Sequence, residues 1–150
     1  MDNVIKIDSN HSVALFAPDQ AALRQAAETG FRTIVNFRTA EEKQDVSPAE
    51  EHRIVEKAGL NYLHFPVAAD ELDNEMVDDF RRYLDDLAGP ILLHCASGKR
   101  AGAMTLMALA ADKGMDGAEA LELGHKTGID LSDEKIGQFV KAYADKKANV

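Results

Sequence analysis

The sequence of 150 residues has a single cysteine, no tryptophan and only four prolines. Because one cysteine cannot form an internal disulfide, we expect a protein of a reducing, cytoplasmic compartment. No apolar run approaches the roughly 18 to 20 residues that a membrane span requires. The opening residues, MDNVIKIDSN, also lack the basic and apolar regions of a secretory signal. These absences predict a protein that has no membrane among its partners.

Positive charge is scarce as well. The chain has 17 Lys and Arg against 26 Asp and Glu, which gives a net charge of −9. Nucleic-acid binding requires clustered Lys and Arg, so this balance argues against a nucleic-acid partner. The five histidines show no metal-ligand spacing, and we expect neither a metal nor a cofactor. At this length residues 1–150 are expected to form one domain with a real core.

Strand-like and helix-like segments alternate along the chain. The run PILLH is short and continuously apolar, which is typical of a strand buried on both faces. Several predicted helices begin at Pro or Ser and end at Gly. We expect two short strands within residues 4–17, strands at 32–38, 61–67 and 90–94, and helices at 18–29, 49–59, 75–89, 100–113, 116–126 and 132–147. This alternation predicts an α/β fold with three layers, in which helices flank a mainly parallel central sheet.

The segment ILLHCASGKRAG places the only thiol, that of Cys95, where a predicted strand ends and a loop leads into a helix. Ligands of such sheets bind beyond the carboxyl ends of the strands. Backbone N–H groups of the small residues and the helix N-terminus favour an anion, and the same field favours a thiolate. Arg100 adds a planar fork for two oxygens of a bound oxyanion. The segment therefore predicts a nucleophile inside an anion-binding loop.

The segment HCASGKRAG resembles the active-site loop of the cysteine-dependent phosphatases, the superfamily of protein tyrosine and dual-specificity phosphatases. GFRTIVNFRTAEE, AGLNYLHFPVAADELDNEMVDDF and GPILLHCASGKRAG are similar to a small bacterial branch of it, which also occurs fused to β-lactamase-like hydrolases. The similarity spans residues 12 to 112. It implies a phosphatase-like fold of the phosphotyrosine protein phosphatase II type and a phosphorylated substrate, either a small molecule or a phosphoprotein.

The resemblance also implies roles for individual residues. Cys95 corresponds to the nucleophile, and the family's general acid is an Asp on the loop after the preceding strand. Asp70 is the first choice for that acid, with Glu71 and Asp73 as alternatives, although Asp73 is also well placed to cap the next helix. The candidate site residues are catalytic Cys95, Arg100 and Asp70, substrate-binding Ala96, Ser97, Gly98, Lys99 and Arg38, and supporting His94 and Asn36.

Three of these candidates have two interpretations each. Asn36 and Arg38 end the predicted strand TIVNFR, so they belong to the ligand edge of the sheet by position. Arg38 recruits an anion or, as we favour, pairs with Glu41 or Glu42. Ser97 donates to a bound oxyanion or bonds the local backbone, and Lys99 adds charge at the mouth of the loop or is simply exposed.

Two features of the loop differ from the phosphatase pattern. Four residues separate Cys95 from Arg100 instead of five, and Ala101 stands where a Ser or Thr usually follows the arginine and bonds the cysteine sulfur. A Cys-x4-Arg loop is typical of rhodanese-like sulfurtransferases, whose cysteine carries a persulfide. Three functions stay open: a phosphatase acting through a phosphocysteine, which we favour, a sulfurtransferase with a persulfide on Cys95, and a non-catalytic module that binds anions or phosphopeptides.

Overall fold

The computed structural model describes residues 1–149, in which five strands alternate with six α-helices. The strands are β1 (Val4–Lys6), β2 (His11–Ala14), β3 (Thr33–Asn36), β4 (Asn61–His64) and β5 (Ile91–His94). The helices are α1 (Gln20–Thr29), α2 (Pro48–Lys57), α3 (Asn74–Asp85), α4 (Lys99–Lys113), α5 (Gly117–Thr127) and α6 (Lys135–Ala148), and a short 3-10 turn covers Ala69–Glu71. Each strand and α-helix overlaps the segment where the sequence pattern predicts it, so the expected α/β fold is confirmed.

Four helices begin with a side chain that caps the first turn. In α1, α2, α3 and α5 this side chain accepts a hydrogen bond from the backbone N–H three residues on. The capping residues are Asp19, Ser47, Asp73 and Asp116. Helix α4 begins differently, because its N-cap is Gly98, with φ of +99° and no side chain to cap the turn. The first N–H groups of α4 are therefore left to bind other groups.

The sheet has the strand order β1-β2-β5-β3-β4. Only β1 runs antiparallel, to β2, and the other neighbouring strands are parallel. In the register Leu93 of the central strand β5 lies beside Val13 on one side and Val35 on the other. The carboxyl ends of four strands thus meet at one edge, and the Cys95 loop leaves the sheet at its middle.

Helices cover both faces of the sheet. Ile34 and Leu92 pack with α1 and α2 in one core cluster, whereas Val35 and Leu93 pack in the other cluster with α3 to α6. Residues 101–110 of α4 are all buried, so the helix that follows the Cys95 loop is fixed in the core. Within residues 1–149, no helix is both long enough and apolar enough to cross a membrane.

The hydroxyl of Thr33 anchors the start of β3. Its side chain is fully buried, and Oγ1 donates a hydrogen bond of 2.7 Å to the carbonyl oxygen of Ala88, just before β5. We predict that Thr33→Val lowers the free energy of unfolding by about 1 kcal/mol in urea denaturation, because it removes the hydrogen bond made by a fully buried hydroxyl. Thr29→Val is the control, since Thr29 Oγ1 makes a bond of the same length at an exposed site, where water replaces it. Equal losses in both variants would contradict a special role for the buried bond.

Candidate active site

The sulfur of Cys95 lies under the first turn of α4. The residue is only 1% exposed, and Sγ accepts hydrogen bonds from the backbone N–H groups of Gly98 at 3.2 Å and Ala101 at 3.5 Å. The N–H of Ala101 thus contacts the sulfur that a Ser or Thr hydroxyl would bond in the phosphatase pattern. Gly98 is required here because a Cβ would lie 2.8 Å from Leu15 Cδ2 and its φ is positive.

The other loop residues face solvent. Ala96 and Ser97 are exposed, and a cavity of about 250 Å³ opens beside Ala96. Lys99 does not extend over the loop in this structure, because its Nζ lies 2.6 Å from a carboxylate oxygen of Glu134, the residue before α6. The donors that remain at this loop are therefore its backbone N–H groups and Arg100.

The guanidinium of Arg100 makes a two-pronged ion pair with Glu42. Nη1 and Nη2 each donate to one carboxylate oxygen at 2.8 Å, and Nη1 also donates to the carbonyl oxygen of Val67 at 3.0 Å. The hydrogen bonds from Arg100 hold the pKa of Glu42 at about 2, well below its ordinary value. In return, Glu42 raises the pKa of Arg100, and the Cys95 sulfur contributes to the same shift. Arg100 thus pairs with a carboxylate, and the Cys95 sulfur favours its charged form.

Glu42 was absent from the site expected from the sequence, where it appeared only as a possible partner of Arg38. It belongs to the loop between β3 and α2, which the sequence marks as acidic. The available signal was the position of that loop, directly after a parallel strand and hence at the ligand edge of the sheet. Its partner Arg100 lies 58 residues further along the chain, and nothing in the sequence near Glu42 indicates that the two residues pair.

Arg38 pairs with Glu51, so the expected ion pair with Glu41 or Glu42 is wrong. Its Nη2 lies 3.0 Å from Glu51 Oε1, and Nε donates to Asn36 Oδ1 at 3.2 Å. The side chain is 2% exposed, which places it in the wall of the site and not on an open face. The reason is that α2 brings the fully buried carboxylate of Glu51 to the end of β3, whereas Glu41 is exposed and Glu42 pairs with Arg100.

Glu51 also holds His94, the residue before Cys95. His94 Nε2 lies 2.7 Å from Glu51 Oε2, and Nδ1 lies 3.3 Å from the carbonyl oxygen of Cys95. Both side chains are fully buried. Sequence reasoning missed Glu51, although its spacing from Pro48 and Val55 places it on the buried face of α2. One carboxylate therefore joins the ends of β3 and β5.

The three candidates for a general acid lie in different surroundings. Asp73 accepts a hydrogen bond of 2.8 Å from the N–H of Met76, so its carboxylate caps α3. Asp70 and Glu71 are exposed in the 3-10 turn. This turn begins two residues after Val67, whose carbonyl bonds Arg100, so the loop that carries Asp70 is tied to the site.

Removal of the Glu51 charge tests the buried network. We predict that Glu51→Gln lowers the free energy of unfolding by about 3 kcal/mol or more, because it leaves the buried guanidinium of Arg38 without its counter-ion. Glu50→Gln is the matched control, because Glu50 is the exposed residue directly before Glu51 in α2. Chemical denaturation of both variants measures the difference. If the two variants were equally stable, the network would not stabilise the fold.

Comparison with known proteins identifies relatives of this chain. The family described as beta-lactamase hydrolase-like protein, phosphatase-like domain, matches residues 7–113. The chain is 30% identical over 127 residues to the Beta-lactamase hydrolase-like protein of Xylella fastidiosa, which covers 83% of this chain and 30% of that protein. The chain thus spans less than a third of the length of this curated relative.

Solved structures share the fold at low sequence identity. TpbA from Pseudomonas aeruginosa, in complex with pTyr, has a TM-score of 0.72 and 21% identity over 99% of this chain and 91% of that chain. The core catalytic domain of the PP-IP phosphatase SIW14 from S. cerevisiae has a TM-score of 0.72 and 14% identity over 99% and 89% of the two chains.

The resemblance to cysteine-dependent phosphatases expected from the loop is confirmed by the family match and by the fold. The match includes β2 to β5 and the whole of α4, and with them Cys95, Arg100, Glu42 and Glu51. The chain therefore belongs to the family of the beta-lactamase hydrolase-like protein, phosphatase-like domain.

Proposed function

We propose that this chain is a phosphatase that hydrolyses a phosphate monoester through a phosphocysteine on Cys95. The observation that carries the proposal is the position of the Cys95 sulfur, which lies at the uncapped start of α4 with two backbone N–H groups directed at it. Arg100 lies in the first turn of the same helix. A nucleophile surrounded by fixed donors suits a reaction in which negative charge develops on oxygens near the sulfur.

The reaction proceeds in two steps. The Cys95 thiolate attacks phosphorus, and the bond between phosphorus and the leaving oxygen breaks. The backbone N–H groups of residues 96–100 and the guanidinium of Arg100 hold the equatorial oxygens, while Asp70 gives a proton to the leaving oxygen. Asp70, now a carboxylate, then takes a proton from water. The water attacks phosphorus, which releases inorganic phosphate and restores the thiolate.

The other candidate residues support this chemistry from within the fold. His94 orients the loop through Glu51 and the Cys95 carbonyl. Arg38 and Asn36 serve as positioning residues, because Arg38 bonds Glu51 and Asn36 holds Arg38. Ala96 and Ser97 are exposed, and Ala96 lines the cavity, so this part of the loop meets the phosphoryl group and the start of the leaving group.

The substrate that we propose is a phosphate monoester of a small molecule or a phosphoprotein. TpbA binds pTyr, and SIW14 is a PP-IP phosphatase, so proteins of this fold act at different phosphorylated groups. The exposed loop and the adjacent cavity leave room for either kind of leaving group.

Intact-mass analysis after parallel exposure to an aryl phosphate and to thiosulfate tests the proposal. We expect turnover of the aryl phosphate and a phosphate adduct on Cys95 that accumulates in Asp70→Asn. Cys95→Ser should lose turnover and the adduct, since a serine hydroxyl is a far weaker nucleophile, yet should still bind inorganic phosphate. A gain of one sulfur without phosphatase turnover would contradict the proposal. Phosphate binding without any turnover would indicate a binding module.

A second candidate is a rhodanese-like sulfurtransferase, in which Cys95 carries a persulfide. The observation that favours it is the ion pair of Arg100 with Glu42, which occupies both terminal nitrogens of the guanidinium. The space over the sulfur is then suited to a small anion such as a persulfide sulfur, held by the N–H groups of the loop. This reaction needs no general acid.

Substitution of Asp70 distinguishes the phosphatase from the sulfurtransferase. For the phosphatase, we predict that Asp70→Asn lowers kcat for an aryl phosphate by about 100-fold or more, because the leaving oxygen loses its proton donor. The matched control is Glu71→Gln in the same exposed turn, which should keep kcat within about threefold of wild type. A sulfurtransferase would keep full rate with thiosulfate in both variants. An equal loss of kcat in Asp70→Asn and Glu71→Gln would show that Asp70 is not the general acid.

A further inference from the structure

Three cationic side chains of the candidate site are each paired with a carboxylate. The pairs are Arg38 with Glu51 at 3.0 Å, Arg100 with Glu42 at 2.8 Å and Lys99 with Glu134 at 2.6 Å. The pairs differ in exposure, since the side chain of Arg38 is 2% exposed and that of Lys99 is 56% exposed. Because an exposed ion pair contributes little to stability, Lys99 is the cation that can change its partner.

Lys99 lies where a positive charge needs a partner. It is the first residue of α4, and the N-terminus of a helix carries a positive partial charge that disfavours a cation. Glu134 directly precedes α6, where the same partial charge favours a carboxylate. A second anionic group on a substrate bound at the Cys95 loop therefore competes with Glu134 for the ammonium of Lys99.

The segment between α5 and α6 is packed against the start of α4, and this packing keeps Glu134 near Lys99. Ile129 and Leu131 are buried, and a Cβ on Gly102 of α4 would lie 2.8 Å from Ile129 Cγ2. A larger residue at position 102 would therefore push the segment away from the helix. The backbone N–H of Glu134 donates to the carbonyl oxygen of Leu131 at 3.0 Å. The carboxylate is thus carried by a segment that the core anchors.

The cavity beside Ala96 is lined by charges of both signs. The charged side chains in its wall are those of Asp19, Arg38, Lys43 and Asp45. Arg38 is already paired with Glu51, which leaves one ammonium against two carboxylates. A leaving group in this cavity is therefore accommodated better when it is uncharged or basic than when it is anionic.

We propose that Glu134 is a specificity-determining residue, which pairs with Lys99 and thereby disfavours substrates whose leaving group carries a further negative charge. The proposal rests on the proposed function and narrows its substrate to a singly phosphorylated ester with an uncharged or basic leaving group. The family match ends at residue 113, so it includes Lys99 but not Glu134.

The competing interpretation is that a substrate with two anionic groups displaces Glu134 and takes Lys99 as its own partner. The two interpretations predict opposite preferences in the wild type. If Glu134 selects against negative charge, a substrate with an uncharged leaving group is hydrolysed faster. If Glu134 is readily displaced, the substrate with the anionic leaving group is hydrolysed faster.

The first experiment compares kcat/KM for carboxyphenyl phosphate and carbamoylphenyl phosphate, which have the same shape and differ by one negative charge. We expect the wild type to prefer the carbamoyl substrate. Glu134→Gln should shift the ratio towards the carboxylate by about three- to tenfold, the size expected for one exposed charge acting on another. Asp133→Asn is the matched control, because it removes the same charge from the exposed neighbouring residue and should leave the ratio unchanged.

Two results would overturn the proposal. One is a wild type that prefers the carboxyphenyl substrate. The other is a ratio that does not move in Glu134→Gln, or that moves as far in Asp133→Asn, because the ion pair with Lys99 would then have no specific effect.

The second experiment is a double-mutant cycle with Lys99→Met. Glu134→Gln should shift the ratio less in this background, because no ammonium is released towards the substrate. An equal shift in both backgrounds would show that Glu134 acts without Lys99, and it would contradict the proposed role of the pair.

A third measurement does not depend on turnover. Titration calorimetry with inorganic phosphate and with pyrophosphate, both without added metal, compares binding of a small anion and a larger one. We expect Glu134→Gln to strengthen pyrophosphate binding over phosphate binding by about three- to tenfold. If this ratio shifts but no aryl phosphate is hydrolysed, the proposed function fails while the role of Glu134 stands. If aryl phosphates are hydrolysed but neither ratio shifts, the role of Glu134 fails while the proposed function stands.

Discussion

The buried carboxylate of Glu51 joins the parts of the molecule on which the candidate site depends. One oxygen pairs with Arg38 after β3, the other meets His94 at the end of β5, and the residue itself belongs to α2. A buried ion pair is stable only when every partner is present and bonded. The position of Cys95, directly after His94, is therefore set by an interaction that reaches across two strands and a helix.

The fold could be predicted because its signals are local. The apolar run before Cys95, the caps at Asp19 and Ser47 and the glycines that end helices are each read within a few residues. The partners at the site could not be predicted in the same way. Arg38 has acidic neighbours in sequence, yet its partner Glu51 lies 13 residues on, at a place set by the packing of α2 on the sheet.

The short loop changes which group bonds the Cys95 sulfur, which the sequence pattern alone did not reveal. With four residues between Cys95 and Arg100, α4 starts at Lys99, and the N–H of Ala101 reaches the sulfur. The backbone N–H of Ala101 thus takes the place of the missing hydroxyl. The helix fixes the direction of this donor, so no side chain has to be oriented. Arg100 then lies in the first helical turn, where a carboxylate from another loop meets its guanidinium.

In the proposed function, the charge balance of this turn limits how the site binds an anion. Glu42 offsets the formal charge of Arg100, so the net charge over the sulfur comes mainly from the start of α4. Attraction by charge alone is therefore modest, and selectivity depends on N–H groups with fixed directions. A phosphoryl group offers three oxygens to such donors, whereas a persulfide offers one small sulfur. The number of directed donors around Cys95, and not the loop length by itself, is what favours the phosphoryl group.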